Sequence, residues 1–223
     1  MREIAWRGLC QKAPENTIAA FDKAVTAGKW FHFDLRMLAD GTLVCLADTT
    51  LDRTTNLAGP VGEATYADIR RADAGAWFSP KFRFERIPEL ADVISFMNKC
   101  SGKGLCQVHE GGSGLISALA VGLEQLEGGR LLLTSDSPAV LAGLDSARLS
   151  VPLVYWAGSD WRGQLSACGG VLSEGGALSG IILDADQVDE QEAAAVRERG
   201  LDLYLFGATR EKAERVAAKG LLS

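Results

Sequence analysis

Short β-rich runs alternate with amphipathic helical stretches along almost the whole chain, and this alternation limits the possible folds more than any other feature. Seven runs predict strands, at residues 4–8, 30–37, 105–109, 131–134, 151–156, 180–184 and 201–206. The stretches between and after them predict helices, at residues 16–27, 89–99, 115–126, 138–144, 190–199 and 210–219. Strands joined by helices of this length form right-handed βαβ units in a parallel sheet. The pattern favours an α/β barrel of the TIM type, with an open doubly wound sheet as the second possibility.

The second strand carries a strict alternation of side chains. One face is predicted to present His32, Asp34 and Arg36. The other face is predicted to present the apolar side chains of Phe31, Phe33 and Leu35. The dipeptide Asp40-Gly41 predicts a hairpin turn, with residues 42–47 returning as a partner strand and Asp34 opposite Ala47. Residues 48–88 lack periodicity and are too long for an ordinary loop, so they predict an insertion.

The composition agrees with one globular domain over residues 1–223. Apolar residues make up 47% of the 223 residues and charged residues 23%, while the net charge is −6. This acidic balance gives no electrostatic footprint for a nucleic-acid partner. We found neither an apolar run of about 20 residues nor a signal-peptide core, so we expect no membrane span and a cytoplasmic location.

Five motifs follow one another over the first 90 residues. They are Trp6-Arg7-Gly8, Ala13-Pro14-Glu15-Asn16-Thr17, Phe33-Asp34-Leu35 with Asp40-Gly41, Leu51-Asp52-Arg53-Thr54-Thr55-Asn56, and more weakly Trp77-Phe78-Ser79 through Arg86-Ile87-Pro88. Their order and spacing resemble the glycerophosphodiester phosphodiesterase family of lipid metabolism. The resemblance implies a TIM barrel in which the insertion follows the second strand. It also implies hydrolysis of phosphodiesters by a carboxylate-bound divalent metal, usually Ca²⁺ or Mg²⁺, with two histidines as general base and acid and an arginine that stabilises the phosphoryl charge.

The residues that carry this chemistry in the family are largely replaced in this chain. The resemblance places the two acid/base histidines at Trp6 and at Ala47, directly before Asp48. Neither an indole nor a methyl group can transfer a proton. A metal-binding glutamate would stand at His32, and a further metal carboxylate at Gln107 or His109. The chain therefore resembles a degenerate member that lacks both catalytic histidines, and the ordinary mechanism of the family is not expected to operate.

Several family positions are retained. The resemblance implies phosphate binding by Arg7, a metal ligand at Asp34, and pocket residues at Glu15, Asn16, Asp48 and Gln107. Glu15 and Asn16 have an alternative structural role, because acidic and amide side chains stabilise the first turn of a helix.

The only two histidines of the chain fall on strands that bear metal ligands in the family. If the register of the strand at residues 105–109 gives His109, and not Gln107, the metal position, then His32, Asp34 and His109 form a two-histidine, one-carboxylate set. Such a set suits Zn²⁺, Mn²⁺ or Fe²⁺ better than Ca²⁺ or Mg²⁺. The alternative is that each histidine only forms hydrogen bonds within a barrel that holds no metal.

The C-terminal sequence departs from the family pattern as well. In the family a further strand follows the last helix, whereas this chain stops soon after Gly220. We therefore expect seven parallel strands, a missing or truncated last strand, and an open barrel edge that a second copy of the chain could cover. If the arm of the hairpin at residues 42–47 joins the barrel instead, closure needs no partner.

Three functional hypotheses follow. The first is a non-catalytic or strongly impaired relative that still binds a small phosphodiester or phosphate, in a binding, regulatory or assembly role. The second is an active phosphoric diester hydrolase with a rebuilt transition-metal site. The third is a structural or interaction protein that uses the open barrel edge.

Overall fold

A computed structural model describes residues 3–110, 112–158, 161–163, 178–186 and 188–207 of the chain. The chain divides into two compact units, residues 2–131 and residues 132–223 together with Met1. Each unit is described by itself. The single domain predicted over residues 1–223 stays a prediction.

A small sheet forms the centre of the first unit. Strands β1 (Ile4–Ala5) and β4 (Gly104–Val108) flank β2 (Trp30–Met37), and both run parallel to it. Strand β3 (Leu43–Cys45) pairs with β2 in the antiparallel direction. Four helices belong to the described part of this unit: α1 (Ile18–Thr26), α2 (Tyr66–Ile69), α3 (Leu90–Lys99) and α4 (Ser113–Leu123).

Local chemistry explains where the first elements begin and end. The side chain of Thr17 accepts a hydrogen bond from the Ala20 amide and caps α1. Strand β1 stops before residue 6, earlier than predicted, because Arg7 and Gly8 take positive φ angles of 49° and 76°. Helix α1 likewise starts after the predicted residue 16, since Asn16 has a φ of 56°.

The two faces of β2 separate apolar from polar side chains, as the alternation predicts. Phe31 and Phe33 pack against Phe21 of α1, with ring centroids 4.7 Å and 5.9 Å apart. His32 and Asp34 are buried on the opposite face. The apolar face anchors the strand, and the polar face is left for the candidate site.

The register of the β2–β3 hairpin corrects one prediction. Leu35 pairs with Cys45, and the Leu46 amide donates to the Asp34 carbonyl at 3.1 Å, so Asp34 lies opposite Leu46 and not Ala47. The turn centres on Asp40, whose carboxylate accepts the Thr42 amide at 3.1 Å. This three-residue turn shifts the predicted register by one position.

Residues 48–88 form a folded insertion with a small core of its own. The insertion contains α2 and two short 3₁₀ turns, Val61–Glu63 and Pro80–Phe82. Its buried side chains form one cluster with residues of the hairpin: Leu38, Val44, Leu46, Leu51, Val61, Ile69, Ala72, Ala74 and Ile87. This burial explains how a stretch without periodicity stays ordered.

The second unit repeats the βα pattern. Strands β5 (Leu131–Ser135), β6 (Leu153–Trp156), β7 (Leu178–Asp184) and β8 (Asp202–Phe206) are described here, and each pairs with the next in the parallel direction. Helices α5 (Pro138–Ser146) and α6 (Glu190–Glu198) follow β5 and β7, capped by Ser137 and Asp189. One cluster of buried residues in this unit consists of Leu141, Tyr155, Ala157, Trp161, Ile181, Leu183, Val188, Ala193, Val196 and Leu203.

All seven predicted parallel strands are present in the described part of the chain, as β1, β2 and β4 to β8. The helix predicted at 210–219 lies outside the described residues. Within the described residues, no helix has the length and apolar character needed to cross a membrane. The open barrel edge stays a prediction.

Candidate functional site

The residues singled out by the sequence come together at the end of β2 in the first unit. Strands β2 and β4 are parallel and in a register that places Asp34 beside Gln107. Strand β2 thus supplies His32 and Asp34, and β4 with the two residues after it supplies Gln107 and His109. The carboxyl ends of parallel strands are where α/β folds place their ligand sites.

A tight turn at residues 7–8 brings Trp6 and Arg7 to the same place. The Gly8 amide donates to the His32 carbonyl at 2.9 Å, which ties the turn to β2. A β-carbon on Gly8 would lie 2.5 Å from the Ala20 β-carbon, and its φ of 76° favours glycine. Glycine is therefore required for the turn to approach α1 this closely.

Asp34 is fully buried and is the centre of the site. Asn16 Nδ2 donates to Asp34 Oδ2 at 2.9 Å, and Asn16 Oδ1 accepts the Asp34 amide at 3.1 Å. His109 Nε2 lies 2.7 Å from Asp34 Oδ1. Arg7 Nε lies 3.0 Å from Asp34 Oδ2 as an ion pair, although its N–H is not aligned for a hydrogen bond.

These contacts keep Asp34 ionised. Burial alone would raise the pKa of the carboxyl group, but the hydrogen bond from His109, the field of His32, and the contacts with Asn16 and Arg7 outweigh it and lower the pKa to about 2. Because Asp34 is a carboxylate, His109 donates to it from Nε2.

His32 is fully buried and uses both ring nitrogens in contacts with protein groups. Its Nε2 lies 3.0 Å from Gln107 Oε1, and its Nδ1 lies 3.4 Å from the Arg7 amide nitrogen, which donates to it. Trp6 stacks on the imidazole with ring centroids 3.9 Å apart and planes inclined by 14°. Burial lowers the pKa of His32 to about 4, against the opposing field of Asp34, so the ring is neutral at pH 7.

This arrangement does not fit a resident metal ion. The structure brings His109 and Asp34 together but directs His32 towards Gln107, so the three predicted ligands do not face one centre. Among the residues that the structure describes, no group of three His, Cys, Asp or Glu side chains could hold a metal. The metal site predicted at His32, Asp34 and His109 stays a prediction for metal analysis to test.

A ladder of ion pairs leads from Arg7 towards the solvent. Glu15 Oε1 accepts from Arg7 Nη1 at 2.9 Å and from Arg53 Nη2 at 2.7 Å, and Arg53 also binds Asp48 at 2.6 Å and 2.9 Å. The hydrogen bonds from Arg53 lower the pKa of Asp48. Sequence reasoning did not assign a site role to Arg53, although it stands in one of the five motifs. Glu15 and Asp48 therefore serve to hold two arginines at the mouth of the site.

Arg36 is a second site residue that sequence reasoning missed. Its Nε and Nη2 donate to the Ala47 carbonyl at 2.9 Å and 2.6 Å, and its Nη1 donates to Glu110 at 2.8 Å. The alternation of β2 was the available signal, because it places Arg36 on the face of His32 and Asp34. Ala47, where the resemblance places the second histidine, thus has a buried methyl group. Its carbonyl accepts hydrogen bonds from Arg36.

Comparison with known proteins agrees with this arrangement of residues. Residues 7–105 match the model of the glycerophosphoryl diester phosphodiesterase family. Over 100 residues the chain is 42% identical to a putative glycerophosphodiester phosphodiesterase of Bacillus subtilis, a match that covers 44% of this chain and 41% of the relative. A glycerophosphodiester phosphodiesterase of Caldanaerobacter subterraneus is 44% identical over 95 residues, which is 42% of this chain and 39% of that protein. The matched stretch thus spans about two fifths of these curated relatives.

Solved structures extend the likeness to nearly the whole chain. A glycerophosphodiester phosphodiesterase from Agrobacterium tumefaciens superposes with a TM-score of 0.82 at 28% identity, covering 98% of this chain and 93% of that one. A phosphodiesterase from Oleispira antarctica, solved with its product sn-glycerol-3-phosphate, superposes with a TM-score of 0.83 at 23% identity, covering 99% and 90%. The predicted fold class, an α/β fold of the TIM-barrel type, is confirmed.

Proposed function

We propose that this chain, whose residues 7–105 match the glycerophosphoryl diester phosphodiesterase family, binds a small phosphate ester and does not catalyse metal-dependent hydrolysis. One observation carries this proposal: His32 is hydrogen-bonded to Gln107 and stacked under Trp6 where the resemblance places metal-binding and proton-transfer groups. The neutral side chains of His32 and Gln107 are hydrogen-bond partners of each other at this position. Both ring nitrogens of His32 are engaged by protein groups, and Trp6 and Ala47 cannot transfer a proton.

Two arginines support the retained binding of a phosphate ester. Arg7 holds Glu15 and Asp34 through Nη1 and Nε while its side chain stays 24% exposed, and Arg53 is 46% exposed. Guanidinium groups bind phosphate oxygens in pairs of hydrogen bonds. A phosphate that replaces Glu15 as their shared partner would meet both arginines at once. The Oleispira antarctica phosphodiesterase binds sn-glycerol-3-phosphate, and we take this class of ligand as the probe.

Calorimetric titration with sn-glycerol-3-phosphate tests the binding, and Arg7→Gln is the decisive variant. We expect saturable binding by the wild-type chain and a loss of about tenfold or more in Arg7→Gln, since a charge-assisted hydrogen bond contributes about 1.5–3 kcal/mol. Arg197→Gln, an exposed arginine at the end of α6, is the matched control and should bind like wild type. Equal binding by both variants would refute a role for Arg7.

An assay for release of glycerol phosphate from glycerophosphocholine, with Mg²⁺, Ca²⁺, Mn²⁺ or Zn²⁺ added in turn, tests the absence of hydrolysis. We expect no turnover by the wild-type chain. The combined change Trp6→His, Ala47→His and His32→Glu restores the family residues, and activity gained by that variant would support a scaffold that still presents the substrate. Efficient turnover by the wild-type chain would refute the proposal.

The alternative hydrolase with a rebuilt site has one supporting observation, the 2.7 Å contact of His109 with Asp34. A carboxylate that orients a histidine in this way is an arrangement used by general bases. Metal analysis of protein purified without chelator, with His32→Ala as control, tests whether His32, Asp34 and His109 hold a metal ion. Stoichiometric Zn, Mn or Fe that disappears in the variant would favour the alternative over our proposal.

The remaining expectations concern location and assembly. We propose a cytoplasmic protein, and a second copy of the chain as the partner at an open barrel edge. Sedimentation velocity over a range of concentrations measures the oligomeric state, and a strictly monomeric protein would contradict the interaction hypothesis.

A further inference from the structure

The insertion carries an exposed segment, residues 77–86, that combines large aromatic and basic side chains. We call it the aromatic-basic patch. Its exposed aromatic residues are Trp77 (43%) and Phe84 (67%), and its exposed basic residues are Lys81, Arg83 and Arg86. Aromatic side chains of this size are usually buried, so two of them exposed within eight residues need a physical reason.

Phe84 is the most unusual residue of the patch. Its φ is 74°, a backbone conformation that favours glycine and is an outlier for a bulky side chain. Asp73 maintains this conformation by accepting the Phe84 amide at 2.9 Å on one oxygen and the Gly75 and Ala76 amides at 2.9 Å and 2.8 Å on the other. Phe84 thus combines a strained backbone with a large exposed apolar side chain. Strain that the surrounding structure maintains is characteristic of functional positions.

The other aromatic residues give the patch a firm base. Trp77 contacts Phe78 edge-on with ring centroids 5.7 Å apart, and Phe78 contacts Phe82 in the same way at 5.6 Å. The Trp77 indole nitrogen donates to the Ala74 carbonyl at 2.9 Å, which sets the orientation of the ring. The exposed Trp77 ring is therefore held in place by the Ala74 carbonyl and by the half-buried Phe78.

The charges of the patch differ from those of the whole chain. Residues 77–86 contain three basic residues and one acidic residue, Glu85, whereas the chain carries a net charge of −6. Lys81 and Arg83 lie over aromatic rings, with Lys81 Nζ 4.9 Å from the Phe82 centroid and Arg83 Cζ 5.0 Å from the Phe84 centroid. Aromatic rings with basic groups beside them suit the boundary between lipid headgroups and acyl chains.

We propose that the aromatic-basic patch docks the protein on membrane surfaces that contain anionic phospholipids. Phe84 and Trp77 enter the headgroup region, while Lys81, Arg83 and Arg86 contact phosphate groups. The acidic remainder of the chain is repelled from the same surface, so the patch faces the membrane. This inference does not depend on ligand binding at Arg7, and the two experiments can fail separately.

Sedimentation with vesicles tests the proposal on the full chain. We compare vesicles of phosphatidylcholine alone with vesicles that contain about 30% phosphatidylglycerol. Wild type should bind the anionic vesicles and bind neutral ones at least about tenfold more weakly, because the three basic residues of the patch are attracted to anionic headgroups. Binding to neither vesicle, or equal binding to both, would overturn the proposal.

Phe84→Gly separates docking from folding. Glycine accepts the φ of 74° without strain, so this variant should be at least as stable as wild type towards urea. We expect its vesicle affinity to fall about tenfold, since the variant lacks the apolar side chain that enters the membrane. Arg83→Glu should weaken binding to a similar extent. Val121→Ala, which removes part of an exposed apolar side chain on α4, should bind as wild type does.

Two further outcomes would contradict the proposal. Vesicle binding that Phe84→Gly leaves unchanged would show that the aromatic residue does not enter the membrane. Binding of an RNA or of another protein that both Phe84→Gly and Arg83→Glu abolish, with no vesicle binding by wild type, would assign the patch to that other partner.

Discussion

Lowering the pH below 6.5 is expected to destabilise this protein through His32. The ordinary pKa of histidine is 6.5, and burial lowers that of His32 to about 4. Between these two values the unfolded chain takes up a proton that the folded chain does not. Stability from the neutral ring is therefore fully present above pH 6.5 and is lost as the pH falls towards 4. At about 1.36 kcal/mol for each pKa unit, the full effect is about 3 kcal/mol, of which about 2.5 kcal/mol is lost between pH 7 and pH 4.5.

The structure explains why the protonated ring is so unfavourable. His32 is 0% exposed, Trp6 covers one face of the ring, and Nδ1 already accepts the Arg7 amide. A proton on Nδ1 would displace that amide and place a charge where water cannot reach it. The nearby carboxylate of Asp34 favours the charged ring but does not offset the burial.

Two measurements check this prediction. The chain has only two histidines, so NMR titration of the imidazole signals follows each one directly. Urea unfolding at pH 7 and pH 4.5 gives the free-energy change, with His32→Gln as the variant that removes the titrating ring and His109→Gln as the control that keeps it. A His32 signal that titrates near pH 6.5, or a pH dependence that persists unchanged in His32→Gln, would refute the reasoning.

Three further predictions concern the scaffold of the site, each measured by urea unfolding. Gly8→Ala should cost about 3 kcal/mol, because its β-carbon would clash with α1, whereas Gly41→Ala, with a φ of 86° and open space around it, should cost about 1 kcal/mol. Asp34→Asn should cost about 3 kcal/mol by removing a buried charge from its partners, while Glu110→Gln, at a half-exposed ion pair, should cost less than about 1 kcal/mol. Arg53→Gln should likewise cost less than about 1 kcal/mol, and 0.5 M salt should reduce that difference further; a larger loss would mean that the outer ladder stabilises the fold.

Much of the fold could be predicted from local patterns. The alternation in β2 predicts its two faces, because side chains in a strand point to opposite sides whatever surrounds them. The helix that follows Thr17 and the parallel arrangement of the strands also follow from capping chemistry and element order. The register of the hairpin was wrong by one residue, because the length of a turn depends on how Asp40 bonds within it.

The residues of the site were predictable from the sequence, but their hydrogen-bond partners were not. The residue types alone show that the side chains of Trp6 and Ala47 cannot transfer a proton. Whether His32 faces Asp34 or Gln107 depends instead on strand register and on the indole that covers the ring. Neither Arg36 nor Arg53 was assigned a role, because their partners lie in distant segments.

The sequence by itself determined the class of fold, the two faces of β2, the resemblance to a phosphodiesterase family, and the presence of Trp6 and Ala47 where that resemblance places two histidines. These depend on residue identity and on short-range geometry. Only the tertiary structure decided that a neutral His32–Gln107 pair lies where the resemblance places a metal, that Asp34 is held ionised by the groups around it, and that Phe84 is exposed on a strained backbone. Burial and hydrogen-bond geometry set these properties, and both arise from segments far apart in the chain.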